Sequence, residues 1–237
     1  MGDLGLFQAL LGDLELPERG RQRLRAQFWR PEAFRVALGR LTLEQPGSLA
    51  GLPADLLVRL DPVAAAEAQV ADHLQANGID IVGARSVSEI AAGLLAALED
   101  SKAEPIPAAT ARLIEGYLKI GGPAPAACAE LKRVIGGAGP RSARAVAAFA
   151  RRLDLMTAAG IDTGALAFSA EFGRNLEYYT GFVFDIVSPA LGEKLPIAGG
   201  GRYDKLMRAV GAPRDVPAVG CAIHTERLLS VLNRGAP

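Results

Sequence analysis

Apolar residues recur at helical spacing through about the first 160 residues of the chain. A face repeated every three or four residues predicts an amphipathic helix that packs on a core. Five segments show such a face: Leu6, Leu10 and Leu14; Val63, Val70 and Leu74; Ile90, Leu94 and Leu98; Leu113, Ile114 and Leu118; and Val146, Phe149, Leu153 and Met156. The first two-thirds of the chain is therefore predicted to be a set of short helices.

Residues with strong preferences for helix ends bound these segments. Ser86 and Glu89 stand three positions apart ahead of an apolar face, which is the sequence of a capping box. The other predicted ends are a start at Asp61–Pro62, a stop at Asn77–Gly78, a start at Pro107 and an N-terminal cap at Ser142. The helices are predicted to be separate units joined by turns rich in proline and glycine.

Beyond Gly160 the pattern changes to short runs that are rich in β-branched and aromatic residues. The runs are ALAFSAEF, TGFVFDIVS, KLPIAGG and PAVGCAI, and two modest helices are predicted at 203–210 and 226–232. This order predicts an α+β fold with an antiparallel sheet, divided into a mainly helical region at 1–160 and a strand-rich region at 161–237. Because so few strands make a marginal sheet, we expect further strands or a covering partner.

Composition narrows the function classes. Lys and Arg together number 26, as do Asp and Glu, so no overall field attracts nucleic acid. Cys128 and Cys221 lie far apart and, with His73 and His224, complete no metal-binding set. The start MGDLGLFQALL lacks the features of a signal peptide or a membrane span. We expect a reduced, cytoplasmic protein without structural zinc, cofactor, membrane partner or nucleic-acid partner.

One basic segment has two interpretations. PERGRQRLRAQFWR carries arginines beside Phe28 and Trp29, a combination that suits nucleic acid or an acidic protein surface. At helical spacing the arginines spread over several faces, which favours a solvated helix instead. They are Arg19, Arg21, Arg23, Arg25 and Arg30.

Candidate binding chemistry begins with the run GRNLEYYTGFVFDI. Arg174, Tyr178 and Tyr179 stand just before a strand predicted to begin at Phe182. A planar guanidinium suits a phosphate or carboxylate, and tyrosine hydroxyls suit a small polar ligand in an apolar pocket. A structural role fits equally, with the tyrosines in the core and the arginine paired to a nearby glutamate, Glu171 or Glu177.

Two further runs follow. GGGRYD places three glycines where we predict the tip of a strand-to-helix turn, which suits either an anion site or a plain hairpin turn. VGCAIHTERLL ends a strand and begins a helix with Arg227 in its first turn. This arginine fits a ligand at the strand ends or a surface ion pair with Glu226 or Asp204.

Together and in this order, the three runs resemble the motifs of histidyl-tRNA synthetases. RNLEYYTGFVFD is similar to the histidine-binding signature R-G-L-x-Y-Y-T-G-x-x-F-E, GGGRYDKL to the glycine-rich loop that follows it, and VGCAIHTERL to motif 3 of class II synthetases. The resemblance covers about the last third of the chain. It implies a partial class II synthetase-like antiparallel sheet with a large helical insertion.

By residue, the resemblance implies a histidine pocket. Arg174 would lie at the carboxylate or phosphate end of the ligand. Tyr178, Tyr179 and Tyr203 would line the pocket for the histidine side chain. Arg227 would be the motif 3 arginine that meets ATP.

Departures from the family pattern point away from aminoacylation. His224 stands where the family has a glycine against the nucleotide, and an imidazole fills space that glycine leaves open. Asn175 replaces a glycine and Asp185 a glutamate, which are milder changes. The anticodon-binding domain and the motif 2 arginine segment are also expected to be missing.

With these departures, the chain resembles the regulatory subunits of ATP phosphoribosyltransferase, a synthetase-like family of histidine biosynthesis. That resemblance implies a non-catalytic subunit, histidine as ligand, the short catalytic subunit as partner, and a homodimer within a hetero-oligomer. The opening GDLGLFQALLGDLELP and FWRPEAF are similar to the middle of such proteins, which implies a C-terminal fragment without motifs 1 and 2.

Two other hypotheses stay open. The chain fits a fragment or variant of a histidyl-tRNA synthetase that activates histidine with ATP. It also fits a helical interaction module whose pocket has decayed and binds nothing.

Overall fold

A computed structural model describes residues 1–43, 66–79, 86–102, 104–173, 179–192 and 194–234. The predicted helix start at Asp61–Pro62 and the apolar position Val63 lie outside these residues. Within the described part, no helix is long and apolar enough to cross a membrane.

Helices dominate the chain up to residue 158, as the apolar pattern predicted. The described helices are α1 (Leu4–Asp13), α2 (Glu18–Gln27), α3 (Pro31–Leu41), α4 (Ala66–Ala76), α5 (Val87–Lys102), α6 (Ala108–Leu118), α7 (Ala124–Ile135), α8 (Pro140–Ala158), α9 (Leu206–Ala209) and α10 (Thr225–Arg234). A short 3-10 turn follows α8 at Thr163–Ala165. The predicted helical first part is confirmed over the residues that the structure describes.

The strands form two antiparallel sheets. They are β1 (Gly2–Asp3), β2 (Gly121–Pro123), β3 (Ala167–Ser169), β4 (Phe182–Ile186), β5 (Ala198–Arg202) and β6 (Val219–Ile223). The larger sheet has the order β1-β4-β5-β6, and β2 pairs with β3 in the smaller one. The four predicted β runs and the α+β class are confirmed, whereas β1 and β2 were not predicted from the sequence. The division of the chain at residue 160 stays a prediction.

The main core lies between the helices and is built on aromatic stacking. Phe7 of α1 stacks on Phe28 with ring centroids 4.2 Å apart and on Tyr117 of α6 at 6.0 Å. Phe149 of α8 meets Phe168 of β3 edge to face at 5.1 Å. Each such ring contributes about 1.5–3 kcal/mol relative to exposure, so this cluster stabilises the helical part.

Helices α4 and α5 form a smaller packed pair. Val70 and Ala91 are buried at their contact. The predicted capping box is present, since the backbone N–H of Ser86 donates to Glu89 at 2.7 Å and that of Glu89 donates to the Ser86 hydroxyl at 3.2 Å. Gly78 adopts a φ of 62°, the left-handed conformation that ends α4 as predicted.

The arginines of the basic segment serve the helical packing. The Arg19 guanidinium donates to the Ala96 carbonyl of α5 at 2.6 Å, and that of Arg21 donates to the Leu11 carbonyl at 3.0 Å. The Arg30 guanidinium lies 4.0 Å from the centre of the Trp29 ring. These contacts fit the interpretation as a helix surface.

The prediction that Ser142 caps α8 is wrong. The helix begins at Pro140, and the carboxylate of Asp13, at the end of α1, accepts hydrogen bonds from the backbone N–H groups of Ser142 at 2.6 Å and Arg141 at 3.2 Å. An acidic group from a distant segment therefore satisfies the free N–H groups at this helix start.

A partly buried ion pair joins the helical part to the larger sheet. Asp3 of β1 is 7% exposed and lies 2.7 Å from the Arg152 guanidinium of α8. Arg152 also lies 5.0 Å from the centre of the Phe182 ring in β4. The backbone N–H of Leu4 donates to the Gly181 carbonyl at 3.1 Å, so α1 is tied to the segment just before β4.

Candidate functional site

The three glycines of the GGGRYD run lie inside β5, a central strand of the larger sheet. The prediction that they form the tip of a turn is therefore wrong. A Cβ atom at Gly200 would lie 2.2 Å from the Gly220 carbonyl oxygen, and one at Gly201 would lie 2.4 Å from the Phe182 carbonyl oxygen. The neighbouring backbones approach so closely that only glycine fits at these positions.

One face of this sheet carries small residues. Gly201 pairs with Val183 and Gly220, while Gly199 pairs with Asp185 and Ala222. Directly paired residues share a face, so Gly199, Gly201, Gly220 and Ala222 form a flat surface across β5 and β6, here called the glycine face. On the opposite face the Phe182 and Phe184 rings stack with centroids 5.7 Å apart, as the alternation of side chains along a strand requires.

Two of the predicted tyrosines lie over the glycine face. The Tyr179 and Tyr203 rings meet edge to face with centroids 6.2 Å apart. A Cβ atom at Gly220 would lie 2.3 Å from the Tyr203 hydroxyl oxygen, and one at Gly201 would lie 3.0 Å from the Tyr179 ring. The structure thus brings Tyr179 and Tyr203 together, whereas Arg174 and Tyr178 lie outside the described residues.

His224 and Arg227 lie toward the other end of the same strands. The backbone N–H of His224 donates to the Ile197 carbonyl at 2.8 Å and continues the β5–β6 ladder. Alternation places His224 on the face of Gly220, about 13 Å further along at 3.3 Å per residue. Its side chain is exposed.

The Arg227 guanidinium donates to the Pro196 carbonyl at 2.8 Å, just before β5. The alternative of an ion pair with Asp204 is not what the structure has, because Asp204 pairs with Arg202 at 2.8 Å. Arg227 therefore anchors the start of α10 to the chain that leads into β5.

Sequence reasoning missed two residues beside the tyrosines, Thr180 and Asp204. The Thr180 hydroxyl accepts a hydrogen bond from the backbone N–H of Asp204 at 3.0 Å, which joins the first two motif runs. No local pattern indicates this contact, since the two residues lie 24 positions apart.

The arrangement suits a small planar ligand with polar edges. The glycines contribute no side-chain volume of their own, and the tyrosine hydroxyls can donate to or accept from the polar atoms of a flat ring. Among the residues that the structure describes, no group of three or more His, Cys, Asp or Glu could hold a metal ion.

A separate cavity of about 390 Å³ lies between α3 and α6. Its lining combines an apolar floor at Leu38 and Ala111 with charged groups that include Arg35, Lys119 and Glu171. None of the described candidate binding residues lines it.

Comparison with known proteins assigns the chain to a family. A model of the family described as histidyl-tRNA synthetase matches residues 58–228. The chain belongs to the histidyl-tRNA synthetase family.

The curated relatives narrow this class. Proteins called ATP phosphoribosyltransferase regulatory subunit are 33% identical in Mesorhizobium japonicum and 32% identical in Agrobacterium fabrum, each matching 100% of this chain and 62% of its own length. Another from Brucella anthropi is 33% identical over 96% of this chain and 60% of its own. The resemblance to this group is confirmed, and the chain spans about six-tenths of the length of these relatives.

Solved structures share the fold at low identity. A structure described as an ATP phosphoribosyltransferase regulatory subunit/histidyl-tRNA synthetase from Bacillus halodurans superposes with a TM-score of 0.57 at 19% identity, covering 98% of this chain and 43% of that one. A histidyl-tRNA synthetase from Nostoc gives 0.51 at 16% identity, over 98% and 41%. The predicted class II synthetase-like fold is thereby confirmed.

Proposed function

We propose that this chain is part of a regulatory subunit of ATP phosphoribosyltransferase that acts in histidine biosynthesis, has no catalysis of its own and binds histidine on the glycine face. The curated relatives support the proposal, because proteins with the name of this subunit match this chain over nearly all of its length. The proposed partner is the short catalytic subunit, with the regulatory chain present as a homodimer within a hetero-oligomer.

The observation that carries the histidine proposal is the position of Tyr179 and Tyr203 over Gly201 and Gly220. An imidazole is flat and has two polar nitrogens, so it suits a surface of glycines bordered by tyrosine hydroxyls. Because Tyr203 itself lies on Gly220, we expect the ligand to move this ring when it binds. Arg174 is proposed to hold the carboxylate through its fork of donors.

His224 supports the non-catalytic part of the proposal. An imidazole on the glycine face occupies space that the family pattern leaves open, so we propose that ATP does not bind beside it. Histidine then regulates only by binding one state of the assembly more tightly than another. A coupling of 1–3 kcal/mol, or about 5–150-fold in affinity, is typical of such regulation.

Calorimetry with L-histidine tests this proposal on the full-length protein assembled with its catalytic subunit. Tyr203→Phe removes one hydroxyl and should weaken histidine binding by up to about tenfold, the worth of one hydrogen bond. Tyr117→Phe is the matched control, because this tyrosine lies in the helical core. Equal affinity of wild type and Tyr203→Phe would remove the Tyr203 hydroxyl from the proposed site.

The second candidate is a histidine-activating enzyme, and the name of the matching family favours it. ATP–pyrophosphate exchange with histidine separates the two candidates. A regulatory subunit gives no exchange and shows no ATP binding in titration, whereas exchange activity would establish the enzyme.

A decayed pocket, the third candidate, predicts that histidine leaves thermal stability unchanged. A ligand that binds only the folded state must raise the midpoint of unfolding. A histidine-dependent shift therefore excludes a decayed pocket.

A further inference from the structure

Asp204 joins three segments of the sheet region through its carboxylate and its backbone N–H. The Arg202 guanidinium donates to its two oxygens at 2.9 and 2.8 Å, and the backbone N–H of Ala218 donates to one of them at 3.3 Å. The backbone N–H of Asp204 donates to the Thr180 hydroxyl at 3.0 Å. The end of β5, the segment before β4 and the segment before β6 therefore meet at this residue.

The same network fixes the backbone on which the two tyrosines stand. The backbone N–H of Tyr203 donates to the Ala218 carbonyl at 2.8 Å, and that of Thr180 donates to the Arg202 carbonyl at 2.8 Å. Tyr179 directly precedes Thr180, and Tyr203 lies between Arg202 and Asp204. Each tyrosine is thus a direct chain neighbour of a residue that the Asp204 network holds.

We infer that Asp204 is a positioning residue: its hydrogen bonds hold the backbone of Tyr179 and Tyr203 in register beside the glycine face and so set the affinity of that face for its ligand. The identity of the ligand rests on the proposed function, whereas the placement of the tyrosines does not. Asp204 itself acts through the backbone and contacts no ligand.

Hydrogen-bond geometry carries this role more than charge does. The side chains of Arg202 and Asp204 are 48% and 27% exposed, so water and salt screen their ion pair, and such pairs contribute about 0–1 kcal/mol. The bond to the Ala218 N–H is partly buried and needs an acceptor oxygen at a fixed place. Asp204→Asn keeps such an oxygen, whereas Asp204→Ala removes it.

The inference also predicts the behaviour of Thr180. Thr180→Val keeps the shape of the side chain but removes the acceptor for the Asp204 N–H. It should affect the tyrosines in the same direction as Asp204→Ala. Asp215→Ala is the matched control, because its carboxylate forms only an exposed pair with Arg208 at 3.6 Å in the described part of the chain.

The experiment combines calorimetry with L-histidine and amide hydrogen exchange on the full-length protein in its assembly. For Asp204→Ala and Thr180→Val we expect histidine binding weaker by about tenfold and faster exchange at the Thr180 and Tyr203 amides. Asp204→Asn should restore most of the affinity, and Asp215→Ala should match wild type. Midpoints of thermal unfolding should stay close to that of Asp215→Ala.

Two results overturn the inference. One is wild-type histidine affinity in both Asp204→Ala and Thr180→Val. The other is faster exchange spread evenly over the sheet with a matching loss of thermal stability, because that marks a general structural role. If Asp204→Ala does not fold, the histidine affinity and amide exchange of Thr180→Val test the inference instead.

The same experiment distinguishes a failure of the proposed function from a failure of the positioning role of Asp204. If wild-type protein does not bind histidine at all, that function is lost, and the exchange rates at Thr180 and Tyr203 still decide whether Asp204 places the tyrosines. If wild type binds histidine and the variants bind equally well, the function stands and the positioning role of Asp204 is rejected.

Discussion

The carboxylate of Asp13 lies 2.6 Å from the backbone nitrogen of Ser142, at the start of a helix 129 positions further along the chain. Asp13→Ala removes this cap and should lower the midpoint of thermal unfolding by a few degrees. Ser142→Ala should have a smaller effect, because Asp13 accepts its hydrogen bond from the backbone N–H of Ser142, which alanine keeps. Thermal unfolding followed by circular dichroism compares the two variants, and the reverse order would make Ser142 the cap.

The same carboxylate predicts a pH dependence. Burial acts to raise the pKa of Asp13, but hydrogen bonds from Ser142 and Arg141 outweigh it and hold the pKa below its usual value. The unfolded chain then binds the proton more readily, so the contribution of Asp13 is present above about pH 4 and is lost as the pH falls through the lower folded value. Unfolding curves of wild type and Asp13→Ala should converge at acid pH, and a constant difference at all pH values contradicts this.

Tyr117 carries a buried hydroxyl that has no hydrogen-bond partner among the described residues. Tyr117→Phe should therefore raise the free energy of unfolding by about 1 kcal/mol, since an unsatisfied polar group leaves the core. Tyr117→Ala is the contrasting variant and should lower it by about 3–5 kcal/mol through the lost ring. Urea unfolding measures both, and a loss of stability in Tyr117→Phe would show that the hydroxyl is satisfied.

Burial, with a smaller effect of Asp3, raises the pKa of the Tyr117 hydroxyl. The folded state keeps this proton when the unfolded chain releases it above about pH 10, so stability falls as the pH rises beyond that value. The fall should be shallower in Tyr117→Phe than in wild type. Identical alkaline profiles in the two proteins are inconsistent with the burial of this hydroxyl.

Glycines in the sheet and in a helix should respond oppositely to the same substitution. At Gly200 an added methyl group meets the Gly220 backbone at 2.2 Å, so Gly200→Ala should lower the free energy of unfolding by about 2–3 kcal/mol. At Gly93 in α5 a methyl group meets nothing within 4 Å, so Gly93→Ala should raise it by about 0.5–1 kcal/mol. Urea unfolding of both variants checks the sign, and equal effects would refute the close strand approach.

The ion pair between Asp3 and Arg152 should matter more than its surface counterparts. Arg152→Leu leaves a carboxylate that is 7% exposed without its cation, at a cost of about 3 kcal/mol. Arg151→Leu, at an exposed neighbouring position of α8, should change stability by less than about 0.5 kcal/mol. Chemical unfolding measures the free energy of unfolding of both variants. A similar loss in both would mean that the Asp3–Arg152 pair contributes no more than an exposed arginine.

Local signals in the sequence predicted much of the fold. Periodic apolar faces located the helices, and the capping box at Ser86 and Glu89 formed with both of its bonds. Contacts between distant segments could not be read in this way. The two-residue strand β1 owes its existence to β4, about 180 positions away, and the cap of α8 comes from the end of α1.

In the candidate site, too, sequence motifs indicated some residues, whereas contacts between distant segments were not predictable. Tyr179 and Tyr203 were singled out because their motifs resemble those of a family, and the structure brings the two rings together. The glycines were misplaced into a turn because a run of glycines carries no sign of neighbouring strands. Asp204 was considered only as a partner of Arg227, because its actual contacts are with Thr180 and Ala218, which lie in other segments.

Strand β5 crosses the middle of the sheet and brings almost no side-chain volume to it. The packing above this strand comes from residues outside it, the Tyr179 and Tyr203 rings among them. A ligand bound on the glycines would become part of the packing of the sheet while it is bound. Because the Tyr203 hydroxyl rests on Gly220, ligand occupancy would be linked to the packing of the sheet through that ring.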